Sequence, residues 1–492
     1  MTDRALLTLK TSEGKWVVAT TVMGSGVAML NGTDVSVALP ALGADLGAGV
    51  AALQWVLNGY MLTLAALILV GGSLGDRYGR RRLYLLGVAW FAVASILCAV
   101  SPNVEFLIGA RVLQGVGAAL LTPGSLAIIQ SCFVPDDRST AIGAWSGLTG
   151  IAAAVGPLVG GLLIDGLGWR WIFLVPLPLA AVVIWVGLRH VPESFEPTSE
   201  PLDVTGALLA VVALGAISYS IIAYPETGWS PASVGVGATG LVALAGFFFF
   251  ERSKAAPMLP LSIFASRQFT AANLLTFVVY AALGGVFFLV VVHLQTVVGY
   301  NATAAGASTI PIMALLLAGS PAAGRLAQRI GPRVPLTIGP LLLAGGTVMM
   351  GNIRADAGYV TDILPSMLVY GVGLTLTVTP VTATVLAAVE DRYAGLASGV
   401  NNAVARTGQL LAVAALPVLG GLTGGDFADP EAFAAGFGMA MMVAAGLSVA
   451  GGIVAWTMIG SRVLSEADDT EVLENYHCGV EAPPVVSRRR ED

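Results

Sequence analysis

Apolar residues run along this chain in long unbroken blocks. They show neither the alternation of a half-buried strand nor the single stripe of a surface helix. Fourteen blocks stand out, at approximately 16–39, 51–74, 83–101, 104–130, 139–164, 171–189, 204–224, 232–251, 270–296, 303–328, 335–353, 362–388, 395–421 and 433–459. Each approaches or exceeds the roughly 20 residues a helix needs to cross a bilayer. Helices are predicted because lipid offers the backbone no hydrogen-bond partners, and a transmembrane barrel would need short alternating strands. The first block is too long for the core of a signal peptide and is predicted to remain as a span.

Composition agrees with the pattern. Of 492 residues 56% are hydrophobic and only 11% charged, against about 25% charged in ordinary soluble domains. A soluble, a disordered and a collagen-like chain are excluded. Cys98, Cys132 and Cys478 show no disulfide or metal-binding spacing. A net charge of −6 argues against nucleic acid as a partner.

Orientation follows from basic residues. With the N-terminus in the cytoplasm, 20 of the 24 Lys and Arg fall on the cytoplasmic side; Arg170 and Arg354 fall outside, and Arg111 and Arg406 within spans. An even number of spans returns the C-terminus to the cytoplasm, where residues 461–492 are expected to form a polar, disordered tail ending near Arg488–Arg490.

The chain also repeats. Gly72-Ser-Leu-Gly-Asp76-Arg-Tyr-Gly79-Arg-Arg81 matches Gly324-Arg-Leu-Ala-Gln328-Arg-Ile-Gly331-Pro-Arg333 at an offset of 252, and Asp136-Asp137-Arg138 matches Glu390-Asp391-Arg392 at 254. Spans 1–6 (residues 1–190) and 9–14 (269–460) are therefore read as two related six-helix bundles, with spans 7 and 8 inserted at 191–268. Parallel halves with a site between them are a transporter architecture.

Several motifs carry a family resemblance. The Gly72–Arg82 loop resembles motif A of the major facilitator superfamily. Its glycines allow close helix approach. Asp76 can face the positive N-terminus of span 13. Gly72, Asp76, Arg77, Gly79 and Arg80 would form a latch between access states. Arg111-Val-Leu-Gln114-Gly115-Val-Gly117 resembles motif B, and Gly143 with Ala152–Gly161, including Gly156 and Pro157, resembles the antiporter motif C, which the family associates with exporters. Leu30-Asn31-Gly-Thr33-Asp34-Val-Ser36 to Pro40, Gln54-Trp55-Val56 with Tyr60, and Trp169-Arg170-Trp171-Ile-Phe173 resemble the fourteen-helix drug:proton antiporters of the EmrB/QacA type. The match departs from that pattern in span 1. Asn31 occupies the acidic position, and the acid stands three residues later at Asp34, about 60° round the helix and about 4.5 Å along it.

Candidate chemistry centres on groups inside spans, where an ionisable residue is a functional candidate by default. Asp34 lies about 9 Å and Arg111 about 12 Å below one membrane face, comparable depths that allow pairing and a proton-coupling role. Arg111 can equally be a structural Arg tied to backbone carbonyls, and Asp34 a wet acid near the mouth. Asn31, Trp55, Gln114, Trp145, Tyr280, Asn401, Asn402 and Arg406 are candidates for substrate binding. For Trp55, interfacial anchoring is the alternative. His293 is read as structural, and the threonines around Pro380 as partners of a kinked backbone.

No Walker loop, metalloprotease motif or nucleophile elbow is present, so no cofactor, metal or enzymatic activity is expected. The expectation is an all-α, multi-pass inner-membrane protein, monomeric, with a lipophilic or cationic small molecule and protons as its partners. It would export lipophilic or monocationic drugs by proton antiport and alternating access. A dedicated exporter of one metabolite, antibiotic, lipid or siderophore is the alternative, and a transport-dead sensor or scaffold a third reading.

Overall fold

The computed structural model describes residues 6–195, 203–254, 257, 259–390, 393–422, 429–461 and 463–464. The tail from 465 onward, with Cys478 and the terminal arginines, lies outside the described residues. Among the described residues fourteen helices are long and apolar enough to span a membrane: α1 (Ser12–Leu46), α2 (Val50–Tyr78), α3 (Arg80–Ala99), α4 (Val104–Cys132), α5 (Pro135–Leu167), α6 (Trp171–His190), α7 (Val204–Thr227), α8 (Pro231–Ser253), α9 (Arg267–Thr296), α10 (Ala302–Ile330), α11 (Arg333–Gly351), α12 (Tyr359–Ala387), α13 (Ala394–Leu419) and α14 (Pro430–Met458). Among the described residues no strand forms.

Local chemistry sets the ends. Thr11 caps α1 by accepting from Gly14 N, and Gly47 ends it at φ 61°, a left-handed conformation that suits a residue without a side chain. Asn103 caps α4 and Asn301 caps α10, each accepting a backbone N–H three residues on.

Packing gathers the helices into two groups. In one bundle α4 packs on α2 and α3, and α1 on α5 and α6; in the other α11 packs on α12 and α14, α9 on α13 and α14, and α10 on α12. Across the seam α2 meets α13 and α5 meets α10. Shifted by eight spans, these two contacts exchange, so the internal symmetry reappears at the seam. It reappears in the loops too. Gly79 (φ 112°) and Gly331 (φ 82°) occupy matching repeat positions. Each abuts chain that follows its own half's sixth helix, Gly79 at the Glu193 carboxylate and Gly331 at the Ser461 carbonyl.

The inserted helices α7 and α8 pack on each other, and α7 rests on both α2 and α13. At one end Asp203 caps α7 through Gly206 N (2.8 Å) and pairs with Lys254 (3.0 Å). Burial works against the Asp203 carboxylate, but the Gly206 N–H, Lys254 and Glu251 together hold its pKa below the ordinary value.

Candidate functional site

Two faces orient the site. The N-terminal face carries Ser12, Gly79 and Gly331; the opposite face carries Gly47, Gly168 and the α9–α10 turn at Gly299. Between the bundles lies a cavity of about 140 Å³. Residues of α1 (Met29, Ser36), α2 (Tyr60, Met61), α4 (Thr122), α5 (Pro157), α9 (Phe287), α10 (Thr309, Met313) and α13 (Arg406, Gln409) line it. The lining is mainly apolar, and Arg406 is its one charged member among the described residues.

The cavity is closed toward the opposite face. Near it α5 and α10 touch backbone to backbone: a Cβ on Gly306 would stand 2.1 Å from the Pro157 carbonyl oxygen, and one on Gly161 2.5 Å from the Ala302 carbonyl oxygen. Asp165 accepts from Ala302 N (3.2 Å), Thr303 N (2.9 Å) and Thr303 Oγ1 (2.6 Å), so a carboxylate at the end of α5 sits on the positive N-terminus of α10. Gln295 Nε2 donates to Val37 O (2.9 Å), and Gln54 Nε2 to Val413 O (2.8 Å). Toward the N-terminal face the same stripe of α5 continues through Gly150, Gly147 and Gly143 at helical spacing, where a Cβ would meet nothing within 4 Å. Among the described residues the close α5–α10 contact is therefore not continued along this stripe toward the N-terminal face.

Arg111 is fully buried behind the cavity wall. Its Nε donates to Val56 O (3.0 Å), and its Nη1 donates to Asn31 Oδ1 (2.6 Å) and Gln114 Oε1 (2.5 Å). Its guanidinium carbon lies 4.4 Å from the Tyr60 ring centroid. Gln114 in turn donates to Ser95 Oγ (2.7 Å). Hydrogen bonds to a charged group contribute about 1.5–3 kcal/mol each, so three of them offset the roughly 2.5–3.5 kcal/mol cost of an Arg at mid-helix. The expected Asp34–Arg111 pairing does not form among the described ion pairs. Asn31, which holds the family's acidic position, takes the Arg instead. Asp34 is buried on the α5 side, where a Cβ on Gly160 would stand 3.1 Å from the Asp34 Cβ.

Of the other candidates only Arg406 and Pro157 line the cavity. Trp55 stands outside it, beside Tyr219 of α7 with ring centroids 6.5 Å apart. Trp145 donates to Ser25 Oγ (3.1 Å) between α5 and α1. Asn401 ties α13 to α9 through Asn273 (3.2 Å) and Thr276 (2.9 Å), and exposed Asn402 bonds its own helix at Ser398 O (3.1 Å). Tyr280 is half-buried beside the cavity, within the electrostatic reach of Arg406. Met29, Tyr60, Phe287, Met313 and Gln409 were not singled out as site residues. For Gln409 a signal was available, since it lies one turn beyond Arg406.

The latch residues divide likewise. Asp76 pairs with Arg80 (2.7 Å) within its own loop, and Glu193 holds Arg81 and Arg82 (3.6 and 3.7 Å). Arg77 stacks on Tyr78 and Gly72 approaches Pro123. Gly156 and Pro157 are buried in α5. The α2–α13 register runs from Gln54 opposite Val413 to Leu69 opposite Gly399. His293 is structural: Nε2 bonds with Ile353 O (2.9 Å) and the ring stacks on Phe437. Thr375, Thr377, Thr382 and Thr384 all donate to carbonyls four residues back in their own helix.

Sequence comparison identifies the fold. The family model described as Major Facilitator Superfamily matches residues 19–413. The chain belongs to the Major Facilitator Superfamily. Similar superfamily members include multidrug resistance protein Stp of Mycobacterium tuberculosis, 36% identical over 80% of this chain and 74% of that one. The tetracenomycin C resistance and export protein of Streptomyces glaucescens is 34% identical (81% and 74%), and puromycin resistance protein pur8 of Streptomyces alboniger 33% identical (92% and 93%). Among solved structures, an inward-facing bacterial homolog of the human lysosomal transporter Spinster matches at TM-score 0.66 and 18% identity, covering 93% of this chain and 99% of that one. A D-xylose–proton symporter matches at TM-score 0.66 and 15% identity, covering 92% and 99%. With fourteen spans and bacterial superfamily relatives, the chain is a multi-pass membrane protein.

Proposed function

We propose that the protein is a drug-efflux transporter that exchanges lipophilic compounds for protons by alternating access, with both termini in the cytoplasm and a monomer as the working unit. The central apolar cavity between the two bundles carries this reading: it closes at one face through the α5–α10 contact and parts toward the other. The relatives' names, which are those of resistance and export proteins, point the same way.

In this reading residues 1–190 and 269–460 move as bodies about the cavity, with 191–268 between them. Asp34 carries the proton. It is buried against the motif C helix, one turn from the Asn31–Arg111 bond. A carboxyl group that alternates between a dry helix interface and a hydrated cavity takes up a proton in one and releases it in the other. Arg111 fixes α1 against α2 and α4 so that movement of α5 is felt at Asp34. Asp76, Arg80 and their glycines latch the N-terminal face in the alternate state. Of the expected substrate classes the lipophilic one fits the lining, whereas a monocation meets a guanidinium there.

The test is efflux of the lipophilic dye N-phenyl-1-naphthylamine from proteoliposomes under an imposed pH gradient. Wild type is expected to show gradient-dependent efflux and Asp34→Asn to lose it. Efflux that survives a collapsed gradient sinks the coupling, and efflux that survives the substitution moves the proton elsewhere. A dedicated exporter of one compound is the second reading, favoured by the relatives named for single antibiotics. A dye that is never moved, beside one compound that is, would favour it.

A further inference from the structure

The charge of the cavity narrows its substrate. Arg406 lies near the middle of α13, twelve residues beyond Ala394 and thirteen before Leu419, at bilayer depth. A charge there is costly and is kept when it is paired or used. Arg111 meets that cost with three short bonds. Arg406 does not: its described contacts are one 3.2 Å hydrogen bond to Gln409 Oε1 and a 3.9 Å contact with Met29 Sδ. Both partners are neutral, and no described ion pair includes it. The guanidinium has five N–H donors, so most of its capacity remains for a ligand.

The surroundings reinforce this. No carboxylate lines the cavity among the described residues. Tyr60, which does line it, has the buried Arg111 stacked on its ring. One guanidinium, Arg406, therefore borders the space and a second, Arg111, lies behind Tyr60, against one carboxyl, Asp34, set into the α1–α5 contact. The balance is positive whether Asp34 is ionised or neutral. Low-dielectric walls focus such a field into the cleft, which repels cations and attracts anions at every stage of a proton cycle.

We propose that the cavity binds amphipathic organic acids, with an aromatic body against Phe287, Met29 and Met313 and a carboxylate or sulfonate on Arg406. This rests on the efflux reading and replaces a monocationic cargo with an anionic one. Gln409 holds its oxygen on the Arg406 Nη1, which leaves its amide N–H₂ as a further donor for the acid.

The test uses three probes on purified protein in phosphatidylcholine nanodiscs, with empty nanodiscs subtracted: 8-anilinonaphthalene-1-sulfonate, its uncharged parent N-phenyl-1-naphthylamine, and the cation ethidium. Wild type is expected to bind the sulfonate about tenfold or more tightly than the parent, and ethidium more weakly than either. Arg406→Gln is expected to cost the sulfonate about tenfold while leaving the parent within about twofold, and Arg406→Lys to fall between because it keeps the charge without the fork. The parent's affinity reports that the variant is folded. Equal binding of all three probes by wild type overturns the inference without any variant, as does a sulfonate affinity unchanged in Arg406→Gln. Failure of the efflux reading looks different: the discrimination among probes persists, but proteoliposomes under a pH gradient move none of them.

Discussion

Asn31 and Asp34 show how one exchange redistributes a membrane charge. The family's acidic position would set a carboxylate against Arg111; here an amide oxygen accepts the same bond at 2.6 Å, and the acid packs under α5. Removing that acceptor is expected to be costly, because a hydrogen bond to a charged group contributes about 1.5–3 kcal/mol and its loss leaves a buried Arg111 N–H without that partner. Asn31→Leu should therefore lower the thermal unfolding temperature in detergent well below that of Asn31→Asp. The aspartate is tolerated because its partner charge is already buried. If both variants melt together, the Arg111 bond is not what holds α1. Sequence alone placed Asp34 and Arg111 at comparable depths, which allowed a pairing that the structure gives to Asn31. Depth does not choose between two side chains a turn apart; the rotation of α1 does, and that is set by packing against α2, α4 and α5 together. The same limit explains Trp55 and Trp145, which lie on spans that line the cavity but on the wrong faces of them.

At the scale of elements the deciding contact is α5 on α10. Glycine at 161 and 306 lets two backbones meet, and Asp165 fastens the end. Gly306→Leu is expected to hold the opposite face apart, since its Cβ alone would overlap the Pro157 carbonyl. Cysteine pairs placed across that seam should then crosslink in much lower yield than in an otherwise wild-type background. Asp165→Ala, which loses three accepted hydrogen bonds, should lower the yield less. Crosslinking unaffected by Gly306→Leu would remove this contact as the closure. Motif C announced tight packing in α5 but not its partner, because helix glycines reveal closeness without naming what comes close. Glu193 was missed for a related reason. The basic loop was legible from Arg80–Arg82, whereas the acid that receives Arg81 and Arg82 lies more than a hundred residues away.

For the whole molecule, the number of spans and the two-bundle architecture could be read from hydropathy and the 252-residue repeat. The ends could not. The first apolar block starts at 16 and stops at 39, yet α1 runs from Ser12 to Leu46. Hydropathy marks the length that lipid solvates, and Thr11 and Gly47 mark where the helix stops. The inserted pair depends on a polar anchor. The Asp203 carboxyl, held below its ordinary pKa in the fold, stabilises the folded state above the unfolded value of about 3.9, and that contribution disappears as pH falls through the folded value. Asp203→Ala, which also strips the cap of α7, should cost about 1 kcal/mol or more, and its deficit against wild type should shrink in melts run below that range. A deficit of constant size across pH would mean that the charge contributes nothing.

The inserted helices also make the transporter one-sided. Related halves leave two seams, α2–α13 and α5–α10, and in a symmetric twelve-helix body both would face lipid alike. Here α7 lies along the first, with Leu214 packed among Leu62, Ala65 and Leu410, and with Ile222 and Pro225 beside Gln54 and Pro417. Among the described residues the second seam has no such cover, and it is the one that parts toward the N-terminal face. A compound dissolved in the bilayer therefore finds one flank roofed and one open, so cargo drawn from the membrane leaflet would approach Arg406 from the α5–α10 flank.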